Sequence, residues 1–341
     1  MDKSAAGTNT RALERKQGWG RLAGVGYVNA LIIAVLLVFP WVMNSYHTGL
    51  MAKVLVYGIL ALSLDFMWGY AGILSFGHSA LFALGAYGLG LTLKYVDWPG
   101  ATYLGFIVGI IGPGVFAALL GYFLFYGRIS GVYFGIITLA LAAALQQAFI
   151  SAGSITGGDN GLYGFPAPSF TLPGLPTITL DADMPVFYAA LVGAIVAYVV
   201  TRSLANSPFG RALKGVKSSD VRMEALGYDV AKLKMVTFGI CGALAGFAGT
   251  LYVPVSFVSP ALFALTLSTS VIIWVAVGGR GTLIGAFVGA LVLVYLEAIL
   301  SESLVTLWLL LVGIFLILVV VFWPQGIMGF IRERFGRTFI G

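Results

Sequence analysis

The chain contains few charged residues. Asp, Glu, Lys and Arg together make up 9% of its 341 residues, whereas hydrophobic residues make up 60% and the mean hydropathy is +0.99. In soluble globular domains, about a quarter of the residues are charged. The composition therefore excludes a soluble domain and indicates a membrane protein.

Cysteine and catalytic motifs are also scarce. The single Cys241 lies in an apolar run, which excludes an intrachain disulfide and a cysteine metal cluster. The sequence contains no HExxH or GxSxG motif and no close carboxylate pair in an intramembrane context. Residues 210–218 resemble a phosphate-binding loop, but the spacing of their glycines and lysine is wrong. A membrane helix is predicted before them, whereas that loop follows a β-strand. We expect no enzymatic activity, no metal site, no cofactor bound by this chain and no nucleic-acid partner.

Long apolar runs dominate the sequence. A transmembrane helix needs about 20 apolar residues, and nothing here alternates with the period of membrane β-strands. Ten candidate spans are residues 22–43, 50–68, 73–93, 104–126, 131–151, 186–203, 235–254, 262–278, 283–301 and 305–323. The sequence predicts an all-α polytopic membrane protein with about 8–10 transmembrane helices.

The positive charges predict the orientation. All but Lys53 and Lys94 of the 19 basic residues fall on one side of a ten-span arrangement, and basic loops stay in the cytoplasm. We expect cytoplasmic tails at 1–21 and 324–341 and a membrane domain at 22–323. Within that domain, 152–185 is predicted to be an extracytoplasmic loop and 204–234 a cytoplasmic coupling loop. Both termini are then cytoplasmic, in a bacterial inner membrane.

Two glycine-rich segments share one pattern among the 46 glycines of the chain. Gly69, Gly72 and Leu74 form a Gly-x-x-Gly-x-Leu break between apolar runs, and a second break repeats the pattern from Gly278 to Leu283. Many transporters are built from two halves whose broken helices line the substrate pathway. The sequence therefore suggests an internal repeat, although independent tight turns between helices explain it equally well.

Ionisable and aromatic groups near these breaks are candidates for a solute path. A charged side chain at membrane depth costs about 2.5–3.5 kcal/mol on insertion scales, so its presence needs a reason. The predicted path residues are Asp65, Trp68, Gly69, Gly72, His78, Trp274, Gly278, Gly279 and Gly281. Hydrogen bonds between helices account equally well for the two ionisable residues, and packing accounts equally well for the two tryptophans.

The longest charged stretch between apolar runs extends from Leu204 to Lys234. A protein that only had to reside in lipid would not need such an island, so we expect it to dock a cytoplasmic partner.

Four segments together resemble the permease subunits of ATP-binding-cassette importers for branched-chain amino acids and for urea or short amides. They are residues 64–87 (LDFMWGYAGILSFGHSALFALGAY), 156–166 (TGGDNGLYGFP), 207–234 (SPFGRALKGVKSSDVRMEALGYDVAKLK) and 272–286 (IIWVAVGGRGTLIGA). The resemblance covers roughly Lys53 to Gly329. Trp274, Arg280 and the LYVP run from Leu251 make the chain look closest to the urea-type members.

The resemblance implies partners and site residues. A related permease would form a heterodimer with this chain, two cytoplasmic ATPase subunits would bind ATP and Mg, and an extracytoplasmic binding protein would deliver solute. The implied ATPase-coupling residues are Arg211, Lys214, Glu224, Ala225 and Gly227. The implied outer-loop residues are Gly157, Gly158, Asp159, Asn160 and Gly161.

The expected solute is urea or a short amide, with branched-chain amino acids as the alternative. A zwitterion in a low-dielectric path would be expected to need compensation of both charges, and Asp65 and Arg280 show no evident matched pair. An ion-coupled secondary transporter is the rival from another class, because broken helices serve such proteins too.

Overall fold

The computed structural model describes residues 34–171, 177–303 and 325–335, together with residues 310, 313–314 and 317–318. Residues 34–42 are helical and precede the first complete helix. The helices are α1 Ser45–Asp65, α2 His78–Tyr95, α3 Ala101–Tyr126, α4 Val132–Ser151, α5 Gly153–Thr156, α6 Asp183–Asn206, α7 Pro208–Ser218, α8 Asp220–Ala225, α9 Val230–Tyr252, α10 Leu265–Gly278, α11 Ile284–Ser303 and α12 Gly326–Phe335.

Short irregular elements connect these helices. A π-helical turn, Phe66–Ala71, continues α1, and 3-10 turns occupy Gly158–Asn160 and Pro260–Phe263. Strands β1 Ser169–Phe170 and β2 Ile178–Thr179 form one antiparallel pair, in which Ser169 lies opposite Thr179. The described residues are thus almost entirely helical, and the predicted all-α class is confirmed.

Six helices are long and apolar enough to cross a membrane. They cover residues 45–71, 101–126, 132–151, 183–206, 230–252 and 284–301 of the described chain. Among the remaining predicted spans, α10 has 14 residues and is shorter than a bilayer crossing requires. The predicted span at 73–93 was wrong at its start, because α2 begins only at His78, after the turns of the first glycine break. Most of the spans predicted at 305–323 and 22–43, and the whole tail at 1–21, lie outside the described residues.

The core is built around α1, α2 and α9. In its most apolar window α1 is 83% buried, whereas α4 is 22% buried. Glycines allow the close approach of α2 and α9, since a Cβ added at Gly85 would collide with the backbone of Gly246. Backbone contacts of this kind drive helix association in lipid, where the hydrophobic effect contributes little. The core helices are therefore held by small residues, while α4 is peripheral.

Side-chain caps fix the short helices of the segment 204–234, the predicted coupling loop. Helix α6 extends to Asn206, and α7 begins after Ser207, whose hydroxyl accepts from Gly210 N at 3.3 Å. Ser219 caps α8 through Arg222 N at 3.4 Å, and Asp229 caps α9 through Lys232 N at 2.9 Å. Short polar side chains at these positions satisfy N–H groups that a helix start leaves free. The segment is therefore a folded helical unit.

Two other predicted loops also contain structure. The segment 152–185 holds α5, a 3-10 turn, the β1–β2 pair and the start of α6. In the predicted tail 324–341, residues 326–335 form α12, which packs beside α10 and α11. A Cβ added at Gly279 would lie 2.9 Å from the carbonyl oxygen of Gln325. This part of the C-terminal segment is thus packed on the membrane domain.

The two ends of the helix bundle differ in charge. One end, which we call the basic end, carries α7, α8, the α3–α4 turn with Arg128, and Arg280. The opposite end carries the exposed acids Asp159, Asp181 and Asp183. Helix α4 links the two ends, and its 20 residues span about 30 Å at 1.5 Å per residue. The charge asymmetry is that expected of a membrane protein with a basic cytoplasmic face.

Candidate functional site at the two glycine breaks

The first glycine break comprises residues 66–77, where α1 loses its regular helical geometry. The turn Phe66–Ala71 is π-helical, and Gly72 then adopts φ 75°, a conformation that favours glycine. The amide of Ile73 returns to the carbonyl of Met67 at 3.4 Å. Single π-helical turns inside helices frequently mark functional sites. The chain therefore reverses at the basic end through irregular backbone.

The second glycine break comprises residues 279–283 and joins α10 to α11. Gly279 has φ 111°, Gly281 has φ 75° and Leu283 has φ 55°. The Thr282 hydroxyl donates to Gly279 O at 2.7 Å and accepts from Gly285 N at 3.2 Å, which caps the start of α11. This break is a tight capped turn, whereas the first is a distorted helix.

Asp65 joins the two breaks. Its side chain is fully buried, and its two carboxylate oxygens accept from Gly281 N at 2.6 Å and Leu283 N at 3.0 Å. A buried carboxylate is costly unless it is hydrogen-bonded, and here the partners are amide groups of the opposite break. Asp65 therefore fixes the second break against the end of α1.

The two breaks also touch through their backbones. A Cβ added at Gly69 would lie 2.6 Å from Gly281 Cα and 2.7 Å from Gly281 N. Real Cβ atoms do not approach other atoms so closely, so only glycine fits at this position. The repeated pattern thus produces two segments that face each other at one end of the molecule. Both breaks therefore lie at the basic end.

Helix α7 packs on the first break through two lysines. Lys217 Nζ donates to Gly69 O at 2.6 Å, and its side-chain carbons lie beside Gly72, where an added Cβ would be 3.2 Å away. Lys214 Nζ lies 5.0 Å from the centroid of the Tyr70 ring. The same amphipathic helix also buries Leu213 and Val216. Helix α7 of the segment 204–234 and the two glycine breaks therefore form one contact region, which we call the junction.

Four further residues near the breaks contact other side chains of the same chain: Trp68, Trp274, Arg280 and His78. Arg280 Cζ lies 4.5 Å above the Trp68 ring, a cation–π distance. Trp274 is buried, and its ring centroid lies 4.9 Å from that of Tyr57. His78 is also buried, with Nε2 2.7 Å from the Ser63 hydroxyl. Packing therefore accounts for the two tryptophans, and a hydrogen bond between helices accounts for His78, as the alternatives to a solute path predicted.

The predicted path residues differ in exposure. Trp68, Gly72 and Gly281 reach the surface of the single chain at least in part. Asp65, Gly69, His78, Trp274, Gly278 and Gly279 are buried. The junction brings Asp65, Trp68, Gly69, Gly72 and Gly281 together. His78 instead bonds to Ser63 near the end of α1, and Trp274 packs on Tyr57. A role in a solute path stays a prediction for all of them.

The predicted coupling residues lie on and after α8. Met223 anchors α8 on the buried side chains of Ala212, Val216 and Val230. Glu224, Ala225 and Gly227 are exposed, and Gly227 closes the helix with φ 85°. Arg211 instead donates to Asn206 O at 3.3 Å, and Lys214 faces the first break. All five predicted coupling residues are thus exposed, and a coupling role stays a prediction for each of them.

The outer-loop residues form a compact turn at the opposite end. Gly157, Gly158 and Gly161 have positive φ, and a Cβ added at Gly161 would lie 2.5 Å from Val258 O. Leu162 N donates to Val258 O at 2.8 Å, which ties the loop to the segment after α9. Asp159 and Asn160 remain exposed at the tip. The glycines therefore shape a turn that presents two polar side chains.

Sequence reasoning missed several residues of the junction. Lys217 was counted only as one charge of the basic island, and Leu283 only as part of the repeat pattern. Ser63, the partner of His78, carried no signal at all. Lys214 and Lys217 are three positions apart, a spacing that places both on one face of a helix. This spacing could have indicated that the two lysines contact the same neighbouring element.

A membrane-embedded helical bundle with paired helix breaks and a folded basic segment at one end is the architecture of a transport permease. The chain belongs to the family of branched-chain amino acid transport system permease components, whose model matches residues 46–320. It is therefore a permease subunit of the ATP-binding-cassette importer class and a multi-pass membrane protein.

Curated relatives agree with this family. The high-affinity branched-chain amino acid transport system permease protein LivM of Escherichia coli is 28% identical over an alignment of 328 residues that covers 90% of this chain and 75% of the relative. LivM of Salmonella typhimurium is 27% identical, over 89% of this chain and 74% of the relative. The ribose import permease protein RbsC of Haemophilus influenzae is 23% identical, over 71% and 73%. No solved structure matches the chain.

The preference for a urea-type member finds no support in these relatives, and the amino-acid alternative fits them better. The residues behind that preference have structural partners. Arg280 stacks on Trp68, and Trp274 packs on Tyr57. Asp65 binds backbone amides, so its lack of a cationic partner says nothing about the charge of the solute.

Proposed function

We propose that this chain carries branched-chain amino acids across a bacterial inner membrane as one of two permease subunits of an ATP-driven importer. The family match carries the proposal, and the LivM relatives, which are branched-chain amino acid permeases, support the solute class. ATP and Mg are bound by two separate ATPase subunits at the basic end, which faces the cytoplasm together with both termini. A binding protein delivers the solute at the opposite end.

Helix α8 is the proposed docking element for an ATPase subunit. Val221 and Leu226 are 75% and 72% exposed, although they lie at the basic end and beside charged residues. Large apolar side chains exposed outside the membrane indicate a protein contact. Met223 and the ion pair between Lys234 and Asp220 hold α8 on the membrane domain. The element is thus exposed on one side and anchored on the other.

The docking proposal is tested with Leu226→Asp in the reconstituted complex. The charge should prevent burial of this side chain, because an unpaired buried charge is costly. We expect loss of ATPase co-purification and of ATP-dependent leucine uptake, with normal membrane insertion. Lys232→Met, an exposed change at the same end, is the control. Unchanged uptake would contradict the docking proposal and would favour the ion-coupled rival, which needs no ATPase.

The second permease subunit is proposed to cover α4. The exposed face of α4 includes Ala140, Ala143, Ala144 and Gln147, whereas the exposed face of α3 consists of large side chains such as Ile107 and Leu119. Large apolar residues suit lipid, while small and polar residues in membranes lie at helix interfaces or aqueous paths. The solute path is therefore proposed to run between α4 and the related partner, toward the exposed glycines of the breaks.

The binding protein is proposed to contact the turn that presents Asp159 and Asn160. Both side chains are exposed at the end opposite to α8. Replacing Asp159 by Lys should weaken stimulation of ATP hydrolysis by the loaded binding protein, while hydrolysis without it is unchanged.

The proposed solute class is tested by measuring uptake into vesicles that contain the full complex. We expect ATP-dependent accumulation of labelled leucine and none of labelled urea. Urea uptake without leucine uptake would overturn the proposed solute class and leave the permease assignment intact.

A further inference from the structure

Helix α7 lies between the docking element and the first glycine break. Its C-terminal end leads through Ser219 directly into α8, and its lysine face rests on the π-helical turn. A displacement of α8 by a bound subunit therefore also acts on α7.

Lys217 makes a polar contact between α7 and the backbone of the first break. Its ammonium group donates to Gly69 O at 2.6 Å, and its aliphatic part lies on Gly72. Hydrogen bonds with a charged donor are about twice as strong as neutral ones. The acceptor is a main-chain carbonyl in a distorted turn, so the bond holds the path of the backbone and not a side chain.

The first break has space to move relative to α7. A cavity of about 650 Å³ separates the break, α7 and the start of α4. Its lining includes Gly72, Leu74, Phe76, Val132, Lys217 and Asp220. A region with a cavity on one side is not fixed by close packing there. The lysine contact therefore constrains a segment that packing alone leaves free on this side.

The second break is held to the first by direct contacts. Asp65 holds Gly281 N and Leu283 N, and Gly69 lies against Gly281. A shift of the π-helical turn therefore reaches the α10–α11 connection through these contacts. Coupling of this kind needs an element with two arrangements that both sites bias, and single π-helical turns inside helices are frequent at functional sites.

We propose that Lys217 is a positioning residue that transmits movement of the docking segment to the paired glycine breaks, and so couples ATP hydrolysis to opening of the solute path. The proposal rests on the proposed function. It assigns the coupling to one side chain and one carbonyl, in addition to the docking surface on α8.

The first experiment compares Lys217→Met, Lys217→Arg and Lys232→Met in the reconstituted full complex. The methionine removes the donor but keeps most of the aliphatic contact with Gly72. We expect Lys217→Met to hydrolyse ATP at the wild-type rate and to transport leucine about tenfold more slowly, as expected for loss of a coupling interaction. Lys217→Arg, which keeps a charged donor, should recover uptake, and Lys232→Met should match the wild type.

The second experiment follows the break directly. Leu74→Cys in a Cys241→Ala background places a thiol at the cavity, where a small polar reagent can label it. We expect the labelling rate to differ between the nucleotide-free and the vanadate-trapped complex, and the difference to vanish when Lys217→Met is added. A purely structural role for the lysine would shift both rates and keep their ratio. If Lys217→Met does not assemble, Lys217→Gln replaces it in both experiments.

The results separate the two proposals. A wild-type complex that shows no ATP-dependent leucine uptake overturns the proposed function, whatever the variants do. A wild-type complex that transports leucine, with Lys217→Met equal to it in uptake per ATP and in state-dependent labelling, overturns the role of Lys217 alone.

Discussion

The two glycine breaks share a sequence pattern but have different structures and complementary hydrogen-bonding roles. The first break is a π-helical turn that offers acceptors, the Gly69 carbonyl and the neighbouring Asp65 carboxylate. The second is a capped turn that offers donors, the amides of Gly281 and Leu283. Hydrogen-bond donors and acceptors that have no partner within their own break are thus bonded to other parts of the chain. Irregular backbone at membrane depth is tolerated only when protein or a water-filled cavity surrounds it.

The largest effect is expected from removal of the carboxylate that joins the breaks. Asp65→Ala leaves two buried N–H groups without an acceptor, each at about 1–3 kcal/mol. Asp65→Asn keeps one acceptor oxygen and should lose about half as much. Unfolding in mixed detergent micelles measures both, with Asp159→Ala as the exposed control. Equal stability of Asp65→Ala and the control would show that the breaks hold together without the carboxylate.

The next effect concerns the close approach of the two backbones. In Gly69→Ala, the added methyl would lie 2.6 Å from Gly281 Cα, so the breaks must separate. Overpacking of this kind costs about 1–3 kcal/mol. The matched control is Gly112→Ala, because a Cβ added at Gly112 meets nothing within 4 Å. Thermal stability in detergent is the measurement, and a Gly69→Ala variant as stable as the control would refute the contact.

A smaller and equal effect is expected at the two glycines that have the same backbone angle. Gly72 and Gly281 both have φ 75°, where a side chain costs roughly 1–2 kcal/mol. Both alanine variants should therefore lose similar stability, because the added Cβ has 3.2 Å or more of clearance in each case. A large difference between them, measured in the same detergent unfolding assay, would mean that the breaks differ in strain as well as in hydrogen bonding.

The smallest effect is expected from the cation–π contact between the breaks. Arg280→Gln removes the charge above the Trp68 ring, a contact worth about 0.5–1 kcal/mol at an exposed site. Arg280→Lys should retain part of it. A double-mutant cycle with Trp68→Leu isolates the pairwise energy, and a coupling energy near zero would remove this contact from the junction.

Much of the fold was predictable because hydropathy, helix length and charge are local properties of the sequence. Six of the predicted spans correspond to long apolar helices, and the basic segment was recognised before its helices were known. Helix ends were less predictable. The start of α2 at His78 depends on how residues 66–77 reverse the chain, and a run of apolar residues carries no sign of a π-helical turn.

The candidate site was predictable only in part. Asp65, Gly69, Gly72 and Gly281 were selected because charges and glycines are unusual at membrane depth, but their individual partners were not. Lys217 was one of six basic residues in the segment 204–234, and only its spacing from Lys214 distinguishes it from Lys232 in the sequence. Only the packing of α7 places its ammonium group on the Gly69 carbonyl.

By itself the sequence determined a helical membrane protein with an asymmetric charge distribution, two glycine breaks and a basic segment between membrane spans. The tertiary structure alone decided that these features meet, since Asp65 and Gly281 are 216 positions apart and Lys217 and Gly69 are 148 positions apart. The reason is physical: hydrophobicity sorts each residue into lipid or water one segment at a time, whereas a hydrogen bond between distant segments requires that all helices between them pack in one arrangement.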